Sequence, residues 1–398
     1  MRLPGRRWLS CAAVIAVSAA LAACSSSTSS TSSTTSTTSP SATGSTSTGS
    51  AASAGVTKAE QMVSQLQAAT SQYPVPTASI SGVSSLKGRT VYYIPLDAHI
   101  PAFVIAGQTM KAALTAAGLN FQECDGQATP STIASCVSDA VGAGAAGIVL
   151  DAIPYGMAEV ALNAATAKGV PVLIADQYPP TGTANTNMVA YVPGVVDQPS
   201  QIAWWLIASS QGKANAIIAE EADSPSSIAY VQNALPIFKQ YCPACVIQVK
   251  EITATETAPQ LQAAVSSDLQ TDPGVQYYYT EFEDSLQPTL AGIQQSGKSS
   301  SVGVEVAAGT VDGLGLLKNG QDVKAVVVVD EPYEGWALTD EILRMMTKSG
   351  PVTETIPSRL FTAQNIGSIQ VTTAAQSSGA WFGDSSYTSE FTQLWGAG

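Results

Sequence analysis

The side chains that could do chemistry in this 398-residue chain are acids, aromatics and cysteines. There is one histidine, so a His-rich metal site is excluded. Any Ser-His-Asp or Cys-His relay would have to run through His99. Glu281 and Glu283 form a close carboxylate pair of the kind a glycosidase uses as acid and nucleophile. Nothing accompanies that pair: the sequence has no nucleophile elbow, no metal motif and no Gly-x-x-x-x-Gly-Lys phosphate loop. Cys242-Pro243-Ala244-Cys245 has the spacing of a dithiol redox motif, which needs its first thiolate at a helix N-terminus. Here it follows a helical stretch, Ser227 to Tyr241, and precedes a strand, Val246 to Ile252, so it reads as a loop staple. The chemistry left over is recognition. Carboxylates accept hydrogen bonds from hydroxyl or ammonium groups, and aromatic faces stack on C–H faces or cations.

Those groups must be held by an alternation of strand and helix. The spacing predicts strands at Thr90–Leu96, Leu119–Cys124, Gly147–Leu150, Val170–Ala175 and Met188–Val192, with helices at Ala102–Ala117, Pro130–Val141 and Tyr155–Lys168 between the first four. The second half repeats the rhythm. Helices are expected at Gln198–Gln211, Ser226–Tyr241, Ala258–Leu269, Asp284–Ser296, Leu314–Lys318 and Tyr333–Thr347. Strands are expected at Ala214–Ala219, Val246–Ile252, Val275–Thr280, Val302–Val306 and Val323–Val329. Short, nearly continuous apolar strands suit parallel sheets covered on both faces. The fold class is therefore α/β, with two doubly wound parallel-sheet lobes joined by a hinge. Such sheets bind ligands beyond the carboxyl ends of their strands, which makes residues just after each strand the candidates.

Ahead of this body, Arg2, Arg6 and Arg7 precede an apolar run from Trp8 to Ala23, the pattern of an export signal. The run ends Leu21-Ala22-Ala23-Cys24, which resembles the bacterial lipobox, so Cys24 is expected to carry lipid on the outer face of the cell membrane. From Ser25 to Ser50, 22 of 26 residues are Ser or Thr, a composition with nothing to bury. Residues 24–55 are thus expected to be a disordered tether with a reach of about 30 Å. A helix is expected from Thr57 to Ser71, with Glu60 completing a capping box, before Pro74 and Pro76 break the chain. The net charge of −13 disfavours nucleic acid and anionic membrane surfaces. Export also fits the four remaining cysteines, whose proximity favours Cys124–Cys136 and Cys242–Cys245 disulfides.

From about Arg89 to Asn365 the order of motifs resembles a type I periplasmic binding protein, the sugar-binding class that serves ABC importers. Leu96-Asp97-Ala98-His99-Ile100-Pro101-Ala102-Phe103 stands in the first-strand loop, and Gly169-Val170-Pro171-Val172-Leu173-Ile174-Ala175-Asp176 ends on the binding Asp. Val302-Gly303-Val304-Glu305 and Asp330-Glu331-Pro332-Tyr333-Glu334 occupy the places of two further family motifs. The resemblance implies ligand contacts by Asp97, His99, Phe103, Asp176, Gln177, Phe282, Glu283, Glu305 and Asp330. It implies a non-enzymatic monomer without cofactor that hands a sugar or polyol to a membrane permease; a sensor for a membrane receptor is the alternative. The implied layout is an export signal in residues 1–23, a tether in 24–55 and a lead-in in 56–85. Lobe one is expected in 86–196 plus 331–357 and lobe two in 197–330 plus 358–398, with crossings near Val195, Asp330 and Pro357. Where the family's sugar binders carry Arg after the binding Asp, this chain has Gln177, and no Arg lies in Ser226-Ser227-Ile228-Ala229-Tyr230. The remaining set, including Glu281, Tyr155 and Tyr333, is acidic and aromatic. That disfavours an anionic ligand and leaves a cationic or amine-bearing one as the alternative to a neutral polyol.

Overall fold

The computed structural model of the protein describes residues 46–194, 198–253 and 258–396. The expected export signal, Cys24 and most of the tether lie outside the described residues. Among the described residues no helix is long and apolar enough to cross a membrane.

Helix α1, Thr46–Leu66, leads into the first α/β unit. That unit contains β1 (Thr90–Pro95), α2 (Pro101–Ala116), β2 (Asn120–Glu123), α3 (Pro130–Gly142), β3 (Gly147–Asp151), α4 (Glu159–Ala167), β4 (Val172–Ala175) and β5 (Val189–Val192). Its five strands pair in the order β2-β1-β3-β4-β5, every neighbour parallel. β3 reads Gly-Ile-Val-Leu-Asp and is buried at all five positions, as a strand covered on both faces must be.

The second unit runs through α5 (Gln198–Ser209), β6 (Asn215–Glu221), α6 (Pro225–Tyr241), β7 (Val246–Ile252), α7 (Ala258–Thr271), β8 (Tyr277–Thr280), α8 (Leu286–Gln295), β9 (Gly303–Val306), α9 (Val311–Lys318) and β10 (Val323–Val329). After β10 the chain forms α10 (Glu331–Thr347), which packs on α2, β3 and β4 of lobe one. It then returns as β11 (Ser358–Thr362), the one antiparallel strand of the second sheet, whose order is β11-β10-β9-β8-β6-β7. The tail adds α11 (Thr373–Ser377) and α12 (Tyr387–Leu394). Helix, strand and crossover thus alternate as a two-lobed, doubly wound α/β fold of the type I periplasmic-binding-protein kind.

Three features depart from the sequence expectation. Helix α1 begins at Thr46, eleven residues before the expected Thr57, and it takes up the end of the stretch read as a tether. The cause is tertiary: Val56 and Ala59 are buried, and α1 lies along α5 and α6. A Cβ at Gly55 would overlap the Tyr241 carbonyl, so the approach is close. β11 was not anticipated, because a short edge strand after a Pro-containing loop carries little periodic signal.

The tail is also divided between lobes, where the expected layout places 358–398 wholly in lobe two. Phe361, Trp381 and Phe382 join the core of lobe two. Tyr387, Phe391 and Trp395 join the core of lobe one. The lead-in makes the same journey: Thr70 N–H donates to the Phe382 carbonyl at 2.7 Å, and Ile80 N–H to the Leu394 carbonyl at 2.8 Å. Both disulfides are formed, with Cα separations of 5.8 Å for Cys124–Cys136 and 5.3 Å for Cys242–Cys245. The first ties the end of β2 to α3. The second closes the turn from α6 to β7, and Cys242 caps the C-terminus of α6, not the N-terminus a reactive thiolate requires.

The tail's last ring is a buried joint. Trp395 stacks on Trp336 with centroids 5.5 Å apart, and its indole N–H donates to Asp340 Oδ1 at 2.6 Å. Trp395→Ala should therefore cost about 3–5 kcal/mol in chemical denaturation, the range for emptying a large aromatic site. Trp395→Phe should cost less, because a ring remains in the stack although the donor and part of the indole volume are lost. A loss under about 1 kcal/mol for the alanine variant would show the tail to be dispensable.

Candidate functional site

The carboxyl ends of both sheets face a cavity of about 640 Å³. Lobe one contributes Leu96 and Ile100–Phe103 after β1, Ala152, Pro154 and Met157 after β3, and Asp176 and Gln177 after β4. Lobe two contributes Glu221, Asp223, Ser224, Ser227 and Tyr230 around the β6–α6 turn. It adds Phe282–Asp284 and Leu286 after β8, then Ala308, Thr310 and Asp312 after β9. The crossing into α10 adds Val329, Glu331 and Glu334. Eight of these side chains are carboxylic and none is Lys, Arg or His.

Backbone strain gathers at the same strand ends. Ala152, Asp176 and Ala308 each follow a strand with positive φ (55°, 55° and 47°). A residue with a Cβ pays about 1–3 kcal/mol there, and such positions persist when the surroundings fix them. For Asp176 the surroundings come from the other lobe. Tyr230 Oη donates to the Asp176 carbonyl at 2.9 Å. One residue on, Gln177 Oε1 accepts from Ser226 Oγ at 2.8 Å, and Tyr178 N–H donates to the same hydroxyl at 3.2 Å. The loop after β4 is thereby fastened to the start of α6.

The acids fall into two groups. Asp151, Asp176 and Glu334 crowd together, carboxyl against carboxyl. Burial is the main cause holding Asp151 and Glu334 well above the usual carboxylate range and Asp176 up at about 6. Tyr93 Oη donates to Asp151 Oδ2 at 2.5 Å. Beside them Glu331 is raised strongly, again by burial first and then by neighbouring carboxylates. On the lobe-two side, burial lifts Glu221 to about 8 and Glu281 to about 9, with Glu221 N–H donating to Glu281 Oε2 at 3.0 Å.

The structure brings Phe103, Asp176, Gln177, Phe282 and Glu283 of the expected residues to the cavity wall. Glu283 is largely occupied: it accepts from Thr310 N–H, from Thr310 Oγ1 at 2.6 Å and from Gly313 N–H at 2.9 Å, which fixes the β9–α9 loop. Four expected residues lie elsewhere. Asp97 and His99 pair with each other in an exposed turn, Asp97 Oδ1 accepting from His99 N–H at 2.8 Å and meeting Nδ1 at 2.9 Å. Glu305 sits inside β9 with no exposure, because alternate residues of a covered strand point into the layers above and below it. Asp330 caps α10, accepting from Tyr333 N–H at 3.1 Å and Tyr73 Oη at 3.2 Å.

Sequence reasoning missed Glu221, Asp284, Glu331 and Glu334 as wall residues. Glu221 was hidden because β6 runs two residues further than its apolar pattern suggests. Glu331 and Glu334 stand in a quoted motif, one helical turn apart at the start of α10. That spacing puts both on one face.

Residues 91–349 match the sequence profile of the periplasmic binding protein domain. Among solved structures, an ABC sugar transporter subunit from Rhodobacter sphaeroides 2.4.1 aligns at 14% identity and a TM-score of 0.60, over 70% of this chain and 100% of that one. The myo-inositol binding protein of Caulobacter, bound to myo-inositol, aligns at 17% identity and 0.61, over 74% and 98%. A glucose-galactose binding protein from Geobacillus stearothermophilus aligns at 17% and 0.62, over 70% and 99%. At these identities the likeness establishes the fold. No curated protein matches the chain.

The raised acids give stability a definite pH dependence. Asp176 (about 6), Asp330 (about 7), Glu221 (about 8) and Glu281 (about 9) hold their protons more tightly folded than unfolded, where carboxyls titrate near ~4. That stabilisation is complete below the unfolded value and is lost as pH rises through the folded ones. The melting temperature of the ligand-free protein should fall from pH 5 to pH 9, and Glu281→Gln should flatten the upper part of the curve. A level or rising profile over that window would contradict the assignment.

Proposed function

Because the chain belongs to the periplasmic binding protein family, we propose that it captures a small solute of the sugar or polyol class between its lobes and delivers it to an ABC permease. The observation that carries this reading is the cavity of about 640 Å³ walled by the strand ends of both lobes and by the crossing between them. That volume lies in the range of small-molecule sites. The family is extracytoplasmic. On this reading residues 1–23 direct export, lipid on Cys24 anchors the chain, and the Ser/Thr-rich stretch lets a monomer range over the membrane surface.

Capture then works through contacts that already cross between lobes. Tyr230 and Ser226 on α6 hold the loop after β4 of the opposite lobe. A solute that fills the space between them adds its own contacts to both walls, so it favours the approached arrangement over a parted one. Phe103 and Phe282, one from each lobe, present aromatic faces to the same space. Catalysis finds less support, since the Glu281 and Glu283 carboxylates that resembled a glycosidase pair are engaged in holding Glu221 and the β9–α9 loop.

Thermal unfolding against a panel of sugars, polyols, amines and dicarboxylates tests this. A solute at 100 times its Kd should stabilise the protein by about 2.7 kcal/mol. Dicarboxylates should leave the melting temperature unchanged. Asp176→Asn should remove most of the shift. Tyr230→Phe should weaken it by up to about tenfold in Kd, the worth of one lost hydrogen bond. A shift that survives Asp176→Asn would place binding outside this cavity, and a response to dicarboxylates would overturn the reading of its charge.

A further inference from the structure

The cavity wall offers acceptors and few donors. Two of its hydroxyls are spent within the protein, Tyr230 Oη on the Asp176 carbonyl and Thr310 Oγ1 on Glu283; those of Ser224 and Ser227 are the others on the wall. Ser226, just behind the wall, gives its proton to Gln177. No basic side chain is present. Against this stand three acids with an oxygen that accepts from no donor: Asp176 Oδ1, Glu331 Oε2 and Glu334 Oε1. Glu331 is 4% exposed and Glu334 2%, yet both line the cavity. A buried carboxylate oxygen without a partner is costly, and all three of these side chains line the cavity. Much of the remaining wall is apolar, with Leu96, Ile100, Phe103, Met157, Phe282 and Leu286 contributing.

A neutral polyol hydroxyl donates one bond and seeks donors in return, which this wall scarcely supplies. An ammonium group brings three donors, no acceptor and one positive charge, which is the complement of three clustered carboxyls that each keep one oxygen without a donor. We propose that the solute carries a protonated amine, seated among Asp176, Glu331 and Glu334, on a compact body that packs between Phe103 and Phe282. This rests on the solute-capture reading and narrows it to one chemical class.

The proposal fixes the sign of the pH response. Asp176, Glu331 and Glu334 face one another, and they also face Asp151 and Tyr93 from lobe one, Tyr230 and Glu283 from lobe two, and Asp330 at the crossing. No Lys, Arg or His is among these neighbours. An ammonium favours the ionised acids, so its binding expels protons and its affinity rises with pH. A neutral ligand that accepts hydrogen bonds from the protonated acids shows the opposite slope.

The test is calorimetric titration of the purified protein with two matched pairs, glucosamine against glucose and cyclohexylamine against cyclohexanol. In at least one pair the amine should bind tenfold or more tighter than its hydroxyl counterpart. The preference should grow from pH 5 to pH 6.5, a window in which both amines stay protonated, and collapse towards parity in Glu331→Gln and Glu334→Gln. The pH series on the unaltered protein stands even where a variant folds poorly. Equal or tighter binding of the neutral partner, a falling pH slope, or a preference that survives both substitutions would overturn the proposal. Binding of neutral partners alone would overturn it and leave solute capture intact. Silence from all four on a folded sample would count against both.

Discussion

A carboxylate removed from water must find a donor or a cation, and this protein buries many carboxylates with few cations to answer them. Backbone N–H groups answer for some. Glu283 is satisfied by the first turn of α9, Asp330 by the first turn of α10 with the Tyr73 hydroxyl, and Glu341 by Val352 N–H at 3.0 Å. Among the described residues the buried acid with a counter-charge is Asp340, paired with Arg344 at 2.6 Å one helical turn away, both almost fully buried. Set apart from these are Asp176, Glu331 and Glu334 at the cavity, each with an oxygen left without a donor. Unpartnered oxygens also occur away from the cavity, as at Glu305 and Glu354, but Asp176, Glu331 and Glu334 are the ones whose side chains also line it.

Helix α10 links the two groups. Every residue from Glu331 to Met345 is buried, four acids and one Arg included. An amphipathic helix on a lobe surface would leave one face in water. This one is enclosed by α2 and the first sheet on one side and by the tail on the other. At Gly335 the approach to α2 is so close that a Cβ would overlap Thr109 Oγ1 and crowd the Ala106 carbonyl. The lead-in completes the enclosure, since Arg344 Nη2 donates to the Ala78 carbonyl at 2.6 Å.

Much of the fold was legible because parallel strands covered on both faces are written as short apolar runs, and β1, β3, β9 and β10 are runs of that kind. The rule that ligands lie beyond strand ends then led to Asp176, Gln177 and the Phe282–Glu283 turn. What the sequence withheld was of another kind. Glu305 was singled out by its family motif although it stands inside the strand expected at Val302–Val306, and the structure shows that position turning its side chain into the layer. Asp330 and Glu331 are adjacent, and only the start of the helix decides that the first caps and the second reaches the cavity. Helix α1 and the tail depend on partners hundreds of residues away, as when Arg359 Nε donates to the Gln67 carbonyl at 2.9 Å and its Nη1 to that of Trp381 at 2.5 Å. No local pattern records such contacts.

Those long-range contacts bear on the cavity through a single rigid body. Glu331 and Glu334 occupy the first turn of α10. Trp336, Asp340 and Arg344 continue the same helix into the stack of Trp395 and Phe391 and the hydrogen bonds from Trp395 and to Ala78. A helix rises 1.5 Å per residue and bends little over four turns, so fixing its far half fixes the near end as well. The lead-in and tail also run from one lobe to the other beside the crossings at β10 and β11, and they pair with each other as they go. Extra strands across a hinge narrow the range over which the lobes can part. In this chain the segments outside the matched domain therefore help fix where Glu331 and Glu334 stand at the cavity.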